Sequence, residues 1–234
     1  EDKRIYVWFE AVIGYLSATR AWAEQRGTPD EWKKFWVKPD GESYYFQGKD
    51  NVSFHTIILP SILLGSGGLN LPTDVVANEY LTFGGADFSK STGNAVWVPD
   101  FLTRYEADPL RYYLASIMPE TSDSEFTWEG FHAANNNELV ATFGNFVHRV
   151  LTITTRNFDN TVPTPGDLDD DDKTALAACD TTLYEVSKAV ESRNFRDGLR
   201  AAMRLARHGN QYIDAKEPWK VVKADKETAG TTLF

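Results

Sequence analysis

The residues best equipped for chemistry lie between Phe83 and Val98, which read Phe-Gly-Gly-Ala-Asp-Phe-Ser-Lys-Ser-Thr-Gly-Asn-Ala-Val-Trp-Val. An apolar, strand-like run over residues 75–83, with Asn78 and Glu79 as its polar exceptions, empties into two glycines. Gly84 and Gly85 let the backbone turn sharply or approach a ligand closely, because neither carries a Cβ. Ser89, Lys90 and Ser91 follow with two hydroxyls and one ammonium, the donors that a phosphate takes. Short polar loops more often simply turn the chain, so these residue types permit phosphate chemistry without requiring it.

The loop resembles the Lys-Met-Ser-Lys-Ser signature of class I aminoacyl-tRNA synthetases, written here Asp87-Phe88-Ser89-Lys90-Ser91. Two other stretches resemble the methionyl-tRNA synthetase family in particular. They are Tyr6-Val7-Trp8-Phe9-Glu10-Ala11-Val12-Ile13-Gly14-Tyr15 and Gly48-Lys49-Asp50-Asn51-Val52-Ser53-Phe54-His55. Similarity continues to Glu217-Pro218-Trp219.

The resemblance implies a two-step reaction: methionine and ATP, carried as its Mg2+ complex, give methionyl-adenylate, and the methionyl group then passes to tRNA(Met). It implies that Lys90 holds the leaving phosphates while Ser89 and Ser91 steady the loop. Gly48 would let the backbone pass close to the adenosine, and Asp50 would contact the substrate amino group or the ribose. Trp8, Ala11, Tyr15, Asp50, Phe54 and His55 match positions of the methionine pocket, and Leu59 stands where some members carry another aromatic. Asn145, Arg149 and Trp219 match the positions that read a CAU anticodon. The departure is Asp87, an anion where the family commonly has its first lysine. Solvent, Lys90 or a metal would each suit it.

Each residue has a plainer role as well. Methionine recognition wants aromatic walls with polarizable sulfur contacts of roughly 0.3–1.5 kcal/mol, but large aromatics such as Trp8 and Phe54 commonly fill cores. Tyr15 and His55 can hydrogen-bond while covering apolar surface, and a lone histidine is usually structural. Asp50 could cap the helix that opens near Val52. Asn145 and Arg149 are four apart, hence on one helix face. RNA readers stack splayed bases on aromatics and bond their edges, yet a core tryptophan and two surface polar residues would look the same in sequence.

The elements that must position these residues follow from the pattern. Residues 5–9 read as a buried strand, and a helix runs from Gly14 to the break at Gly27-Thr28-Pro29. Residues 31–36 form a short helical turn, residues 43–47 an aromatic strand, and residues 52–64 a helix kinked at Pro60. Alternating strands and helices are the grammar of a parallel α/β sheet, Rossmann-like by resemblance. Asp100 and Asp108 are placed to cap the next two helices. Leu139, Val140, Phe143, Phe146, Val147, Val150 and Leu151 then fall on one helical face. Residues 161–172 read as a loop, followed by helices over 173–192 and 195–215 and a short one after Pro218. The fold class is therefore α/β, a parallel-sheet catalytic half followed by an all-α anticodon-binding helix bundle. The boundary falls between residues 1–122, with the signature loop at 84–94, and residues 123–234.

Composition bounds the rest. The hydrophobic fraction of 42% suits a globular protein, and no apolar run reaches the length of a membrane span. The opening Glu-Asp-Lys-Arg shows no signal peptide, and a single cysteine, Cys179, suits a reducing cytoplasm. The formal charge of -10 is unusual for a nucleic-acid partner. It reads either as a solvated acidic exterior or as adaptation to high salt, the latter favoured by the run Asp169–Asp172. No His-Ile-Gly-His segment occurs, and the lone cysteine excludes the Cys-rich zinc site usual in the family. The expectation is an enzyme piece, inactive alone; a non-catalytic tRNA-binding module is the alternative.

Overall fold

The computed structural model describes residue 3 and residues 6–234, in two compact units: Glu1–Tyr80 with Pro119–Asp123, and Leu81–Met118 with Ser124–Phe234. The first unit carries α1 (Trp8–Ala11), α2 (Gly14–Gln25), α3 (Lys33–Trp36), β1 (Tyr44–Gly48), α4 (Leu59–Ser66) and β2 (Asp74–Asn78). β1 and β2 pair in parallel, from Tyr44 opposite Asp74 to Gly48 opposite Asn78. A parallel pair needs a long crossover. A 3-10 turn (Lys49–Asn51), a π-helical run (Phe54–Ile58) and α4 supply it. Pro60 sits in the first turn of α4, directly after the π-helical run, so the kink is realised as a change of helix type. Val12, Trp36, Tyr45, Leu59 and Leu63 form the core.

The buried strand suggested for residues 5–9 does not form over residues 6–9. Ile5 lies outside the described residues. Val7 O accepts from Ala11 N–H at 2.9 Å, closing a helical turn, and Trp8 is 53% exposed. A short apolar run is compatible with either structure. The strand-like run 75–83 is likewise divided. After Asn78, the Glu79 N–H donates to the Pro119 carbonyl and the Tyr80 N–H to Asp123 Oδ1, at 2.8 and 2.9 Å, so neither continues the ladder.

The second unit begins with β3 (Leu81–Phe83), β4 (Ala86–Asp87), α5 (Val98–Leu102), α6 (Ala107–Ser116) and β5 (Ser124–Phe126). β3 is central, antiparallel to β4 and parallel to β5. Phe126, at 2% exposure, anchors the core, its ring 5.3 Å from Tyr113 and 5.5 Å from Trp128. Asp100 and Asp108 are not the helix caps; Trp97 and Glu106 hold those positions. Asp100 lies three residues after its cap and Asp108 two, both in the first turn, where a carboxylate still faces the positive end of the helix.

The remainder is helical: α7 (Trp128–Ala133), a π-helical run (Ala134–Gly144), α8 (Asn145–Asn157), α9 (Asp170–Glu191), α10 (Phe195–Lys216), α11 (Pro218–Val221) and α12 (Lys226–Leu233). The π run overturns the single apolar face. Its hydrogen bonds reach one residue further than an α-helix's, the 3.6-residue repeat slips, and Val140, Phe143 and Leu151 are left exposed. α9 and α10 are antiparallel, because Tyr212 donates to Asp172 while Arg204 pairs with Glu185. Gly209 lets α8 come close: a Cβ there would stand 2.6 Å from the Phe146 ring. Among the described residues no helix is long and apolar enough to cross a membrane.

The acid run is structural, and the loop read over 161–172 ends early. Asp169 caps α9 by accepting from the Asp172 N–H, and the Asp172 carboxylate accepts from the Asp169 N–H, each at 3.0 Å. Lys216 Nζ lies 2.7 Å from Asp172 Oδ1. Burial raises the Asp172 pKa, but the hydrogen bonds from Lys216 and Tyr212 outweigh it and hold the carboxyl below the usual range. A depressed carboxyl stabilises the fold above its unfolded pKa, about 3.9, and that contribution is lost as pH falls through the lower folded value. Denaturant unfolding of Asp172→Asn should show a loss of about 1–3 kcal/mol at pH 7. The difference from the parent should narrow below pH 4; a gap independent of pH would contradict this linkage.

Candidate functional site

In the first unit Tyr15, on α2, and His55, in the π-helical run, are brought together. His55 is 6% exposed, and its Nδ1 lies 2.9 Å from the Asn51 carbonyl. A carbonyl only accepts, so Nδ1 carries the hydrogen, and in the neutral ring Nε2 accepts from the Tyr15 hydroxyl at 2.8 Å. Tyr45 packs edge-on against Tyr15 at 5.1 Å and holds the pair from behind. Trp8 lies 6.0 Å from the half-buried Phe54, and Ala11 lies exposed on α1. Trp8 and Tyr15, 53% and 45% exposed, are not core fillers. Exposed aromatics in such a group mark a binding surface more often than chance. Leu59, by contrast, is fully buried and belongs to the core.

Gly48 ends β1, and the exposed Asp50 follows in the 3-10 turn. Asp50 does not cap a helix. Gly48 is the cap residue of that turn, and Asp50 Oδ2 accepts from the Tyr80 hydroxyl at 2.6 Å instead. Lys49 lies 4.2 Å over the Tyr80 ring and pairs with Glu79. The hydrogen bond to Glu79 is the chief reason that the Lys49 pKa is raised, so this ammonium stays charged. Tyr80 was invisible as a site residue in the sequence, because its partner stands thirty positions earlier.

The signature loop lies in the second unit. Gly84 and Gly85, with φ of 62° and 75°, make the two-residue turn between β3 and β4. Lys90 and Ser91 are exposed, and Ser89 Oγ lies 3.2 Å from Ser91 Oγ. Asp87 is exposed, with no ion pair to Lys90 among the described residues. Phe88 stacks on Phe83 at 5.7 Å. Asn94 pins the loop: its Nδ2 donates to the Phe83 and Asp87 carbonyls at 2.9 and 3.0 Å, and its carbonyl accepts from the Ser89 N–H. No group of three or more metal-ligating side chains is gathered among the described residues.

Asn145, Arg149 and Trp219 also meet, in the helical part. Asn145 and Arg149 open α8 one turn apart, and the Arg149 guanidinium lies 4.8 Å over the Trp219 ring. Such a contact is worth about 0.5–1 kcal/mol at an exposed site. Asn145 donates to Asn210 at 3.3 Å, and Arg149 pairs with Asp214 at 2.5 Å. Asn210 and Asp214 repeat the four-residue spacing of Asn145 and Arg149, a signal present in the sequence itself. Glu217, left-handed with φ of 44°, turns the chain out of α10, and the buried Pro218 starts α11 and sets Trp219.

Asn94→Ala should leave the thermal midpoint nearly unchanged while amide exchange at Ser89 speeds up roughly tenfold, the loss of about one hydrogen bond's worth of local stability. Unchanged exchange would show that the glycines alone hold the loop.

Comparison with known proteins adds the family. Residues 1–151 match the family of tRNA synthetases class I (M), and residues 162–233 match the anticodon binding domain of methionyl tRNA ligase. The chain is 53% identical over 234 residues to a methionine–tRNA ligase of Dehalococcoides mccartyi and 47% identical over 244 residues to that of Pyrococcus furiosus. All of this chain is covered, against 42% and 34% of those proteins. The solved structure of Mycobacterium tuberculosis methionyl-tRNA synthetase in complex with methionyl-adenylate superposes with a TM-score of 0.83 at 28% identity, covering 98% of this chain and 44% of that one. The chain thus spans about two fifths of the length of these relatives. With its parallel strand pair, its helical C-terminal part and both family matches, the chain belongs to the class I methionyl-tRNA synthetases.

Proposed function

We propose that this chain serves a methionine–tRNA ligase of the cytoplasm, which activates methionine with ATP and transfers it to tRNA(Met). Residues 1–122 are the second half of the catalytic domain, and residues 123–234 bind the anticodon. In the first step the methionine carboxylate attacks the α-phosphorus of ATP, the bond to the β-phosphate breaks, and pyrophosphate leaves with its Mg2+. Lys90, exposed on a pinned hairpin, neutralises the leaving phosphates, with Ser89 and Ser91 fixing its loop. Trp8, Ala11 and Phe54 take the thioether, and the Tyr15–His55 pair closes the polar end of the pocket. Asp50, with Oδ2 held by Tyr80, keeps Oδ1 for an ammonium or a ribose hydroxyl, and Gly48 admits the adenosine beside it.

The observation that carries this reading is the Arg149 guanidinium over the Trp219 ring with Asn145 one turn away. A flat aromatic beside edge-directed donors is what splayed RNA bases need. A tRNA-binding module without catalysis would explain that cluster, but would leave the exposed Trp8–Phe54 contact and the Tyr15–His55 bond without a use.

Binding of this chain to an anticodon stem-loop, titrated in KCl because the surface is acidic, tests the assignment. A CAU loop should bind better than one with its first base substituted. Trp219→Ala should weaken the CAU complex about tenfold or more, since a base stack contributes roughly 1–3 kcal/mol. Equal binding of both loops at every salt would withdraw Asn145, Arg149 and Trp219. In an intact ligase carrying this sequence, Lys90→Ala should cut methionine-dependent pyrophosphate exchange roughly a hundredfold while Asp87→Ala does not. Near-parental exchange by Lys90→Ala would remove it from the catalytic residues.

A further inference from the structure

Five of the twelve arginines fall within residues 193–207, beside a single acid, Asp197, although the chain carries a net charge of -10. Arg196, Arg200 and Arg207 stand at i, i+4 and i+11 on α10, so they share one helix face. They line a cavity of about 500 Å³ whose opposite walls are Tyr112 on α6 and Asn137 and Glu138 in the π-helical run. Glu138 is the one carboxylate on that lining, and it already accepts from the Tyr112 hydroxyl. Arg200 pairs only with the exposed Asp197, and Arg207 makes no ion pair among the described residues. A concave, cationic lining with its lone acid engaged is a site for an anion.

The same two helices say which anion. The π run continues directly into Asn145 and Arg149, and α10 continues from Arg207 to Asn210 and Asp214. Arg207 and Asp214 are seven residues apart, about 10 Å along a helix. Asn210 ties the walls together by donating to the Thr142 carbonyl at 2.8 Å. We propose that this groove holds the sugar-phosphate backbone of the RNA strand running on from the bases read at Trp219. Phosphates sit on the guanidiniums of Arg200 and Arg207, and the Asn137 amide faces ribose hydroxyls. Guanidinium forks suit phosphate oxygens, and 2′-hydroxyls want side-chain amides. The proposal rests on the anticodon reading above and adds to it a sequence-independent clamp.

The double variant R200Q/R207Q keeps the stems of two exposed side chains; an unchanged thermal midpoint verifies its fold. Stem-loop binding measured across a KCl series should give a salt slope shallower by about 1.4–1.8, two phosphate contacts at roughly 0.7–0.9 each. Affinity should fall roughly tenfold at moderate salt, by the same factor for the CAU and the substituted loop. An unchanged slope, or a loss confined to the CAU loop, overturns the proposal. A second readout does not involve RNA: tripolyphosphate should shift the Nε–Hε resonances of Arg200 and Arg207 in the parent chain, and silence there overturns the site. If the parent binds both loops equally while the variant still loses salt slope, the anticodon reading fails and the groove stands. Anion-dependent shifts without RNA binding remove RNA as the occupant and overturn the proposal.

Discussion

The constraint on which the rest depends is electrostatic. A chain of net charge -10 repels polyanions at a distance, so any polyphosphate partner must be held by cations concentrated locally and freed from internal acids. The fold achieves this by engaging acids elsewhere. Asp169 and Asp172 are tied up at the start of α9 with Lys216, Asp225 caps α12, and Glu31, Asp108 and Glu185 each neutralise a neighbouring base. Among the described residues, Lys90 on its hairpin and Arg207 on α10 make no ion pair, and Arg200 pairs only with the exposed Asp197. Screening by salt weakens the general repulsion more than it weakens contacts inside a concave site. The acidity and the proposed RNA function are therefore compatible.

Much of this was legible in the sequence, but not evenly. The helices from Gly14, from Asp170 and from Phe195 lie close to where apolar periodicity and the Gly-Thr-Pro break put them. The aromatic strand β1 follows from Tyr44, Tyr45 and Phe46. Failures have a common cause: they turn on partners far away in the chain. Nothing near residues 75–83 shows that Glu79 and Tyr80 find Pro119 and Asp123, and so the run reads as one strand. Asp100 and Asp108 look like caps because the cap and the first helical turn favour the same residue type. Nothing in the sequence marks α12, because its Lys-Glu-Thr-Ala-Gly-Thr-Thr-Leu stretch lacks an apolar face.

Site residues divide in the same way. Trp8, Tyr15, His55, Lys90, Asn145, Arg149 and Trp219 were singled out through resemblance, and their chemical types agree with the roles proposed for them. Residues that hold them, Tyr80 for Asp50 and Asn94 for the hairpin, were not. A tyrosine hydroxyl or an asparagine amide has no periodic signature, and its work is defined only by which carboxylate or carbonyl comes within 3 Å. Asn210 and Asp214 are the instructive exception. Their spacing of four mirrors that of Asn145 and Arg149, and two such pairs on separate helices predict one helix facing another.

The π-helical run joins these threads. An eleven-residue stretch of such geometry is uncommon and marks functional segments more often than ordinary helix does. Here it turns Val140 and Phe143 outward from the face they would share in an α-helix, and it places Asn137 and Glu138 against α10 instead. It then hands over to α8 at Asn145, where regular hydrogen bonding resumes and fixes Asn145 and Arg149 one turn apart. The wall of the arginine groove and the donors beside Trp219 are thus consecutive parts of one continuous helix. α10 supplies the facing partners for both, and close approach at Gly209 keeps the two helices in register. A strand engaged at one end would be aligned for the other without any further ordering of the protein, which is the condition under which two weak contacts add.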